Sequence, residues 1–343
     1  MYHAITLADF LECFALMQAL RDGRGAIITA NGEQPLAVES TTRVWLKLRA
    51  MARFLSAMTY ADGTLALFND SANAEGAEPL PMIGAAERIL GGDLRAYPRS
   101  FPQTGYYLWN SQDGAERIIV DAGPPAVDYN AGHAHCDLLS YELWLSGRPF
   151  IVDSGVHGYG GDRFREYARS TRAHNTVSIN GREQSEVWGT FRLARRAELL
   201  SAEASGDKQT WDFHAAYGLC HTEDGTHERH IRRQADGEWV ITDVVRYGAV
   251  RRASSFIHLH PQVCARKVDG SLAVECQSGR LTVLIEPLAA ESVEINKGAE
   301  SPVQGWYFPD FGIAQPSPAI RFDYRARSGA PFGYRIKTVV GSQ

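Results

Sequence analysis

No stretch of this chain approaches the ~18 consecutive apolar residues that a membrane-spanning helix needs, so a helical span is excluded. Cysteine is scarce: five in 343 residues, an odd number, widely spaced and without a C-x-x-C pair. That argues against a disulfide framework or a cysteine-rich metal site, and Cys13, Cys136, Cys220, Cys264 and Cys276 read as small buried hydrophobes. Lysine is nearly missing, since 30 of the 35 basic residues are arginine. Such a bias suits forked recognition of carboxylates, or reflects genome composition. Strong net charge is lacking too: at -5 the chain has no global field for nucleic acid, and an anionic ligand must be met by a local cluster. Neither an internal repeat nor a low-complexity segment is present. Neither nucleic acid nor a membrane is expected as a partner.

Residues 1–95 have helical texture. Thr6 and Asp9 are spaced as an N-cap and its N3 acid, and Leu7, Phe10, Leu11, Phe14 and Met17 repeat behind them at helical spacing. A second helix is expected after Ser40-Thr41-Thr42, with Val44, Trp45, Leu48, Met51, Leu55 and Met58 on one face, and a third over Met82 to Leu90. Asp62-Gly63 and Asn69-Asp70-Ser71 mark turns and loops between them. Too few to form an independent domain, these helices look like the end of a helical array.

After Pro98 short runs rich in Val, Ile, Tyr, Trp and Phe recur between Gly, Asp and Pro, for example Tyr106 to Trp109, Leu138 to Leu145 and Glu238 to Tyr247. Asp236-Gly237 between two alternating runs predicts a hairpin. Many strands with no helical pattern between them predict antiparallel sheets packed face to face over 96–343.

Four of the eleven histidines fall in one stretch, Gly132 to Asn175. His133 and His135 are two apart, which on a strand would point both imidazoles to one face. Asp153 follows 18 residues after His135, and His174 another 21 on. Two imidazoles and a carboxylate make a normal zinc shell with a fourth position open. Any one of them taken alone is more often an ordinary polar residue at a strand end, and His258-Leu259-His260 repeats the spacing without such a carboxylate. That second pair reads as structural or solvent-facing. Arg163, Arg165, Arg169 and Arg172 are dense enough for some to face a cleft and fork onto carboxylates or sulfates; a salt-bridged loop is the alternative. Tyr159 sits in a glycine-rich turn, Gly158-Tyr159-Gly160-Gly161, which lacks the context of a phosphate loop.

The ordered set Gly132-His133-Ala134-His135-Cys136-Asp137-Leu138, Asp153-Ser154-Gly155 and Arg169-Ser170-Thr171-Arg172-Ala173-His174-Asn175-Thr176-Val177 resembles the heparinase II/III-like polysaccharide lyases. The resemblance implies an α+β architecture: residues 1–95 as the last helices of an incomplete (α/α) toroid, and 96–343 as a large antiparallel β-sandwich. It implies zinc, mainly structural, at His135, Asp153 and His174. His133 matches the histidine that helps neutralise a uronate carboxylate, and Tyr2 the tyrosine of a Tyr-His motif that donates the proton and often also removes one. Tyr159 lies near a second family tyrosine and is taken as a further catalytic candidate. Arg163, Arg165, Arg169 and Asn175 are the substrate-binding candidates.

Such chemistry needs these groups. β-Elimination removes the proton on C5 of a uronate and expels the oxygen on C4. The base succeeds only if charge building on the adjacent carboxylate is stabilised, the part given to His133 with arginine support. A tyrosine, with an unperturbed pKa of ~10, is a competent acid and becomes a base only where cations lower that value. The implied partner is an acidic, uronate-containing polysaccharide, with a homodimer compatible and a periplasmic location implied, the cytoplasm not being ruled out. Because the Tyr-His motif falls at residues 2 and 3, with no signal peptide before it, the expectation is a chain truncated relative to its family and weakly active or inactive. The alternatives are a non-catalytic sugar-binding or exopolysaccharide-assembly protein, and a zinc-dependent glycan hydrolase with Asp137 or Glu142 as general base.

Overall fold

The computed structural model describes residues 2–23, 26–29, 32–35, 38–73, 76, 78–127 and 129–339, with the side chains of residues 2 and 20–40 left aside. Two compact units result, Met1–Ala66 with Ala72–Pro98, and Leu67–Ser71 with Arg99–Gln343. Five residues of the loop after the second helix thus belong with the β unit.

The first unit packs three helices, α1 (Tyr2–Gly23), α2 (Val38–Met58) and α3 (Pro79–Leu90). Ala4, Leu7, Leu11 and Phe14 recur every three or four residues and form one buried stripe against Leu48, Ala52, Leu55, Met82, Ile83 and Ala86. Two sequence expectations are corrected here. Thr6 and Asp9 lie inside α1 rather than at its start, because Ala4 already belongs to the buried stripe. Phe10, read as part of that stripe, is exposed. The ring of His3 reaches the Met51 carbonyl at 2.9 Å. No helix among the described residues is long and apolar enough to cross a membrane.

The second unit is a layered β structure in which every pairing between strands of its three main sheets is antiparallel. A five-stranded meander runs Ser100–Phe101, Tyr106–Asn110, Arg117–Asp121, Tyr141–Leu145, Arg148–Ile151. An eight-stranded sheet orders Glu198–Gly206, Trp211–Gly218, Thr226–Arg233, Trp239–Arg246, Pro331–Val339, Leu281–Leu288, Val274–Ser278, Cys264–Lys267. A four-stranded sheet orders Ser292–Lys297, Pro318–Arg325, Arg252–His258, Val177–Ile179. One continuous core takes Trp109 and Ile118 from the first, Phe213 and Ile241 from the second, and Ile257 and Ile320 from the third. This is the sandwich that the strand-rich texture predicts. The Asp236-Gly237 turn joins Thr226–Arg233 to Trp239–Arg246 as expected, closed by the Gln234 amide on the Glu238 carbonyl at 2.8 Å.

Period-two alternation orients those two strands, yet three inward positions are ionic. Arg229 binds the Asp243 carboxylate through Nε at 2.8 Å and Nη2 at 3.0 Å, and His227 Nε2 lies 2.7 Å from the same group. Nη1 of Arg229 then donates to the carbonyls of Leu139 (2.8 Å) and Asn175 (2.6 Å). The eight-stranded sheet thereby anchors two loops that carry site residues. As for the cysteines, Cys136 and Cys276 are buried as read, whereas Cys13 and Cys264 are exposed. An exposed thiol on an edge strand or helix surface leaves no apolar-period signal to warn of it.

Candidate functional site

The 131–140 segment is irregular, so His133 and His135 do not share a strand face. A carboxylate brings them together instead. Asp70 Oδ2 lies 2.8 Å from His133 Nδ1, and Asp70 Oδ1 lies 2.8 Å from His135 Nε2. The same carboxylate takes both terminal nitrogens of Arg165, Nη2 at 3.0 Å and Nη1 in a shorter contact. Burial alone would raise the Asp70 carboxyl, but hydrogen bonds and charge from His135 and Arg165 overcome it and hold the group far below the usual carboxylate range. Next to it, the Asn69 carboxamide accepts from the His135 amide at 3.2 Å.

A second cluster lies behind. One donor atom from each of His135, Asp137 and His174, all buried, falls within 4.8 Å of the others. Asp153 Oδ2 is 2.8 Å from His174 Nδ1, and its Oδ1 accepts from the Gly155 amide at 3.1 Å. Gly155 has φ +70, and a Cβ there would meet the Phe308 carbonyl oxygen at 2.3 Å. This explains why glycine closes the Asp153-Ser154-Gly155 turn. Burial would lower His174, yet the charge and hydrogen bond of Asp153, with Asp137 nearby, push it up to about 9. Burial drives His135 down against the pull of Asp70. His135 Nδ1 and His174 Nε2 are buried without a well-formed hydrogen bond, although the Ala168 backbone lies close to His174. Buried imidazole nitrogens left so, flanked by two carboxylates, suit a divalent metal of zinc character. The set His135, Asp137 and His174 fits the metal that the resemblance implies; Asp153, expected as the oxygen donor, lies outside that set and holds His174 Nδ1 instead.

The solvent-facing side of the first cluster is aromatic. His133 keeps part of its ring in solvent, with side-chain exposure of 39%. Its ring centroid lies 5.6 Å from Tyr159 and 6.2 Å from Phe191, and Tyr159 packs 5.0 Å from Phe311. The two catalytic candidates of the central stretch, His133 and Tyr159, are therefore neighbours. Tyr2 begins α1, but its side chain lies outside the described residues.

Arginine behaves differently from expectation. The short helix α4 (Arg163–Arg169) is capped by Asp162, whose carboxylate accepts from the Phe164 and Arg165 amides. Arg165 and Arg169, four apart on one face, are buried rather than open to substrate. Arg165 Nε donates to the Thr190 carbonyl at 3.0 Å and Nη2 to Gly132 at 3.2 Å. Arg169 donates to the carbonyls of Ala134 (3.1 Å), Gly189 (2.9 Å) and Arg192 (3.0 Å). Asn175 is committed as well: its Nδ2 donates to Tyr141 and Val152, while its Oδ1 accepts from the His258 amide at 2.7 Å. These three hold loops in place. Arg163 remains exposed, in an ion pair with Glu300. Glu142, nominated as a base, uses Oε1 to accept from the Leu67 and Asp153 amides. His258 is buried, as a structural residue should be, with Tyr167 and Gln304 at Nε2. Asp70 was missed as a site residue because only the Asn69-Asp70-Ser71 loop was visible, and a lone loop aspartate carries no spacing signal.

Residues 94–335 match the family model described as Heparinase II/III-like, C-terminal. A heparin-sulfate lyase of Bacteroides stercoris is 29% identical over 101 residues, 28% of this chain and 15% of that protein. The heparin-sulfate lyase of Pedobacter heparinus is 31% identical over 88 residues, 24% and 13% of the two chains. Among solved structures, heparan sulfate lyase HepC from Pedobacter heparinus superposes with a TM-score of 0.72 at 17% identity, covering 100% of this chain and 52% of that one. A heparinase III, the BT4657 gene product, gives 0.74 at 17% identity, covering 98% and 50%. The chain spans about half the length of these solved relatives, and the matched stretches cover a smaller share of the curated ones.

Proposed function

The chain belongs to the heparinase II/III-like family, and on that premise we propose that it serves β-elimination of a uronate-containing polysaccharide. The observation that carries this reading is His133: partly exposed, fixed at Nδ1 by a buried carboxylate, and beside the Tyr159 ring. A histidine so held presents its Nε2 edge in a set direction and stabilises charge on a uronate carboxylate without having to reorganise. Asp70 keeps its own charge, against its burial, through His135 and Arg165, so it remains an acceptor for the Nδ1 proton. The C5 proton leaves to a base, its electron pair forms the C4–C5 double bond, and the C4–O bond breaks as the departing oxygen takes a proton. Tyrosine hydroxyls supply the proton transfers, Tyr159 from the described site and Tyr2 from the resemblance.

His135 and His174 would hold zinc, with Asp137 and Asp153 as the flanking carboxylates. The metal would cross-link the loops behind His133 and add rigidity. Heparan sulfate is the first substrate to try, because the relatives are named for it; an alginate oligosaccharide is the second. Incubation with either should yield an unsaturated uronate absorbing in the ultraviolet, and His133→Ala and Tyr159→Phe should abolish it. Products with saturated ends would favour hydrolysis instead. Undiminished elimination by His133→Ala would refute the role given to that residue.

A further inference from the structure

We propose that the hairpin turn at 189–191 forms a sugar-stacking subsite beside His133, with Phe191 as its platform. The inference rests on the reading of His133 given above and extends it to the neighbouring sugar ring. Phe191 is 46% exposed at the tip of the hairpin. It lies 6.2 Å from His133 and 5.4 Å from Tyr159, centroid to centroid. A glycan that puts a carboxylate at His133 therefore brings its adjoining ring past Phe191. The C–H face of a pyranose suits the negative face of an aromatic ring.

The hairpin cannot hold that position by itself. Its strands form two residue pairs, Arg192 with Trp188 and Leu193 with Val187, extended by the Glu186 amide on the Arg195 carbonyl and the Ala194 amide on the Glu186 carbonyl, each at 2.8 Å, and so short a ribbon is marginal in water. The two buried arginines of α4 supply the rest. Arg165 binds the Thr190 carbonyl, and Arg169 binds those of Gly189 and Arg192. Through Gly132 and Ala134 the same guanidiniums bind the segment that carries His133. The Arg165 Cζ also lies 5.6 Å from the Phe191 centroid. Burying two guanidiniums is expensive, and the arrangement fixes the spacing between one exposed aromatic and one partly exposed histidine. These arginines act on the sugar only through what they position.

The test is equilibrium binding of a heparan sulfate tetrasaccharide and an alginate tetrasaccharide to the full chain, parent and variants. Phe191→Ala should weaken the bound glycan about tenfold, and Phe191→Tyr should restore it, with unchanged thermal unfolding in both. If Phe191→Ala binds like the parent while His133→Ala loses affinity, the subsite is refuted and the His133 reading stands. If neither variant changes binding, or the parent binds neither glycan, both fall together.

Discussion

Replacing Arg165 by methionine tests the central claim that Asp70 is the hub of the site. Methionine fills much of the same volume but removes the donors to both Asp70 oxygens and to the Thr190 and Gly132 carbonyls. Arg165 is 1% exposed and Asp70 5%, so water cannot replace those donors. Removing one member of a buried ion pair costs about 3–5 kcal/mol. In a unit of this size each kcal/mol moves the melting temperature by roughly 2–4 °C, giving a fall of about 10 °C. Arg165→Lys keeps a charge without the fork and should lose about half as much. The acid limb adds a second readout. Asp70 is depressed in the folded state, so its contribution is complete above the unfolded carboxyl value of ~3.9 and fades as pH falls through the lower folded value. Without Arg165 the folded value rises towards the unfolded one, the contribution shrinks, and acid unfolding begins at higher pH. Calorimetry across pH measures both. A variant that melts within about 2 °C of the parent and keeps its acid limb would refute the hub.

Two further predictions concern the buried histidines. After dialysis against zinc and then buffer, metal analysis should find about one zinc per parent chain, and His135→Ala and His174→Ala should each lose it; a variant that retains it contradicts the cluster. Burial holds His258 down to about 4, with Asp153 raising it and His174 opposing, while Tyr167, Gln304 and Asn175 surround its ring. Between the unfolded value of ~6.5 and that level only the unfolded chain binds the proton, so stability should fall by about 3 kcal/mol as pH drops through the window. His258→Gln should flatten that slope, and parallel slopes in parent and variant would be the contrary result.

Sandwich architecture was legible because strands such as Trp239–Arg246 alternate strictly. Where alternation failed, so did the reading. Glu198–Gly206 is an edge strand of the eight-stranded sheet, mostly exposed and without an apolar face. The ionic pair Arg229–Asp243 occupies inward positions that periodicity assigns to hydrophobes. In the site, His133, His135, Asp153 and His174 could be picked out as an ordered set in sequence, whereas Asp70, which unites two of them, lies 63 residues before His133. Arginine was visible as density, but density does not tell an open guanidinium from a buried one. Arg165 and Arg169 became interpretable only once the carbonyls of 132–134 and 189–192 were seen within reach.

The five residues Leu67–Ser71 carry a consequence for anyone dissecting the protein. A polypeptide begun at Arg99 would contain every strand of the three main sheets and still leave Arg165 without its counter-charge and His133 without its acid. It would also strip from Glu142 the amide of Leu67. Gene fusions or recombination crossovers placed at the contiguous boundary would therefore transmit the scaffold and omit Asp70. Inheritance of the site requires a short peptide from the helical stretch to travel with the sheets.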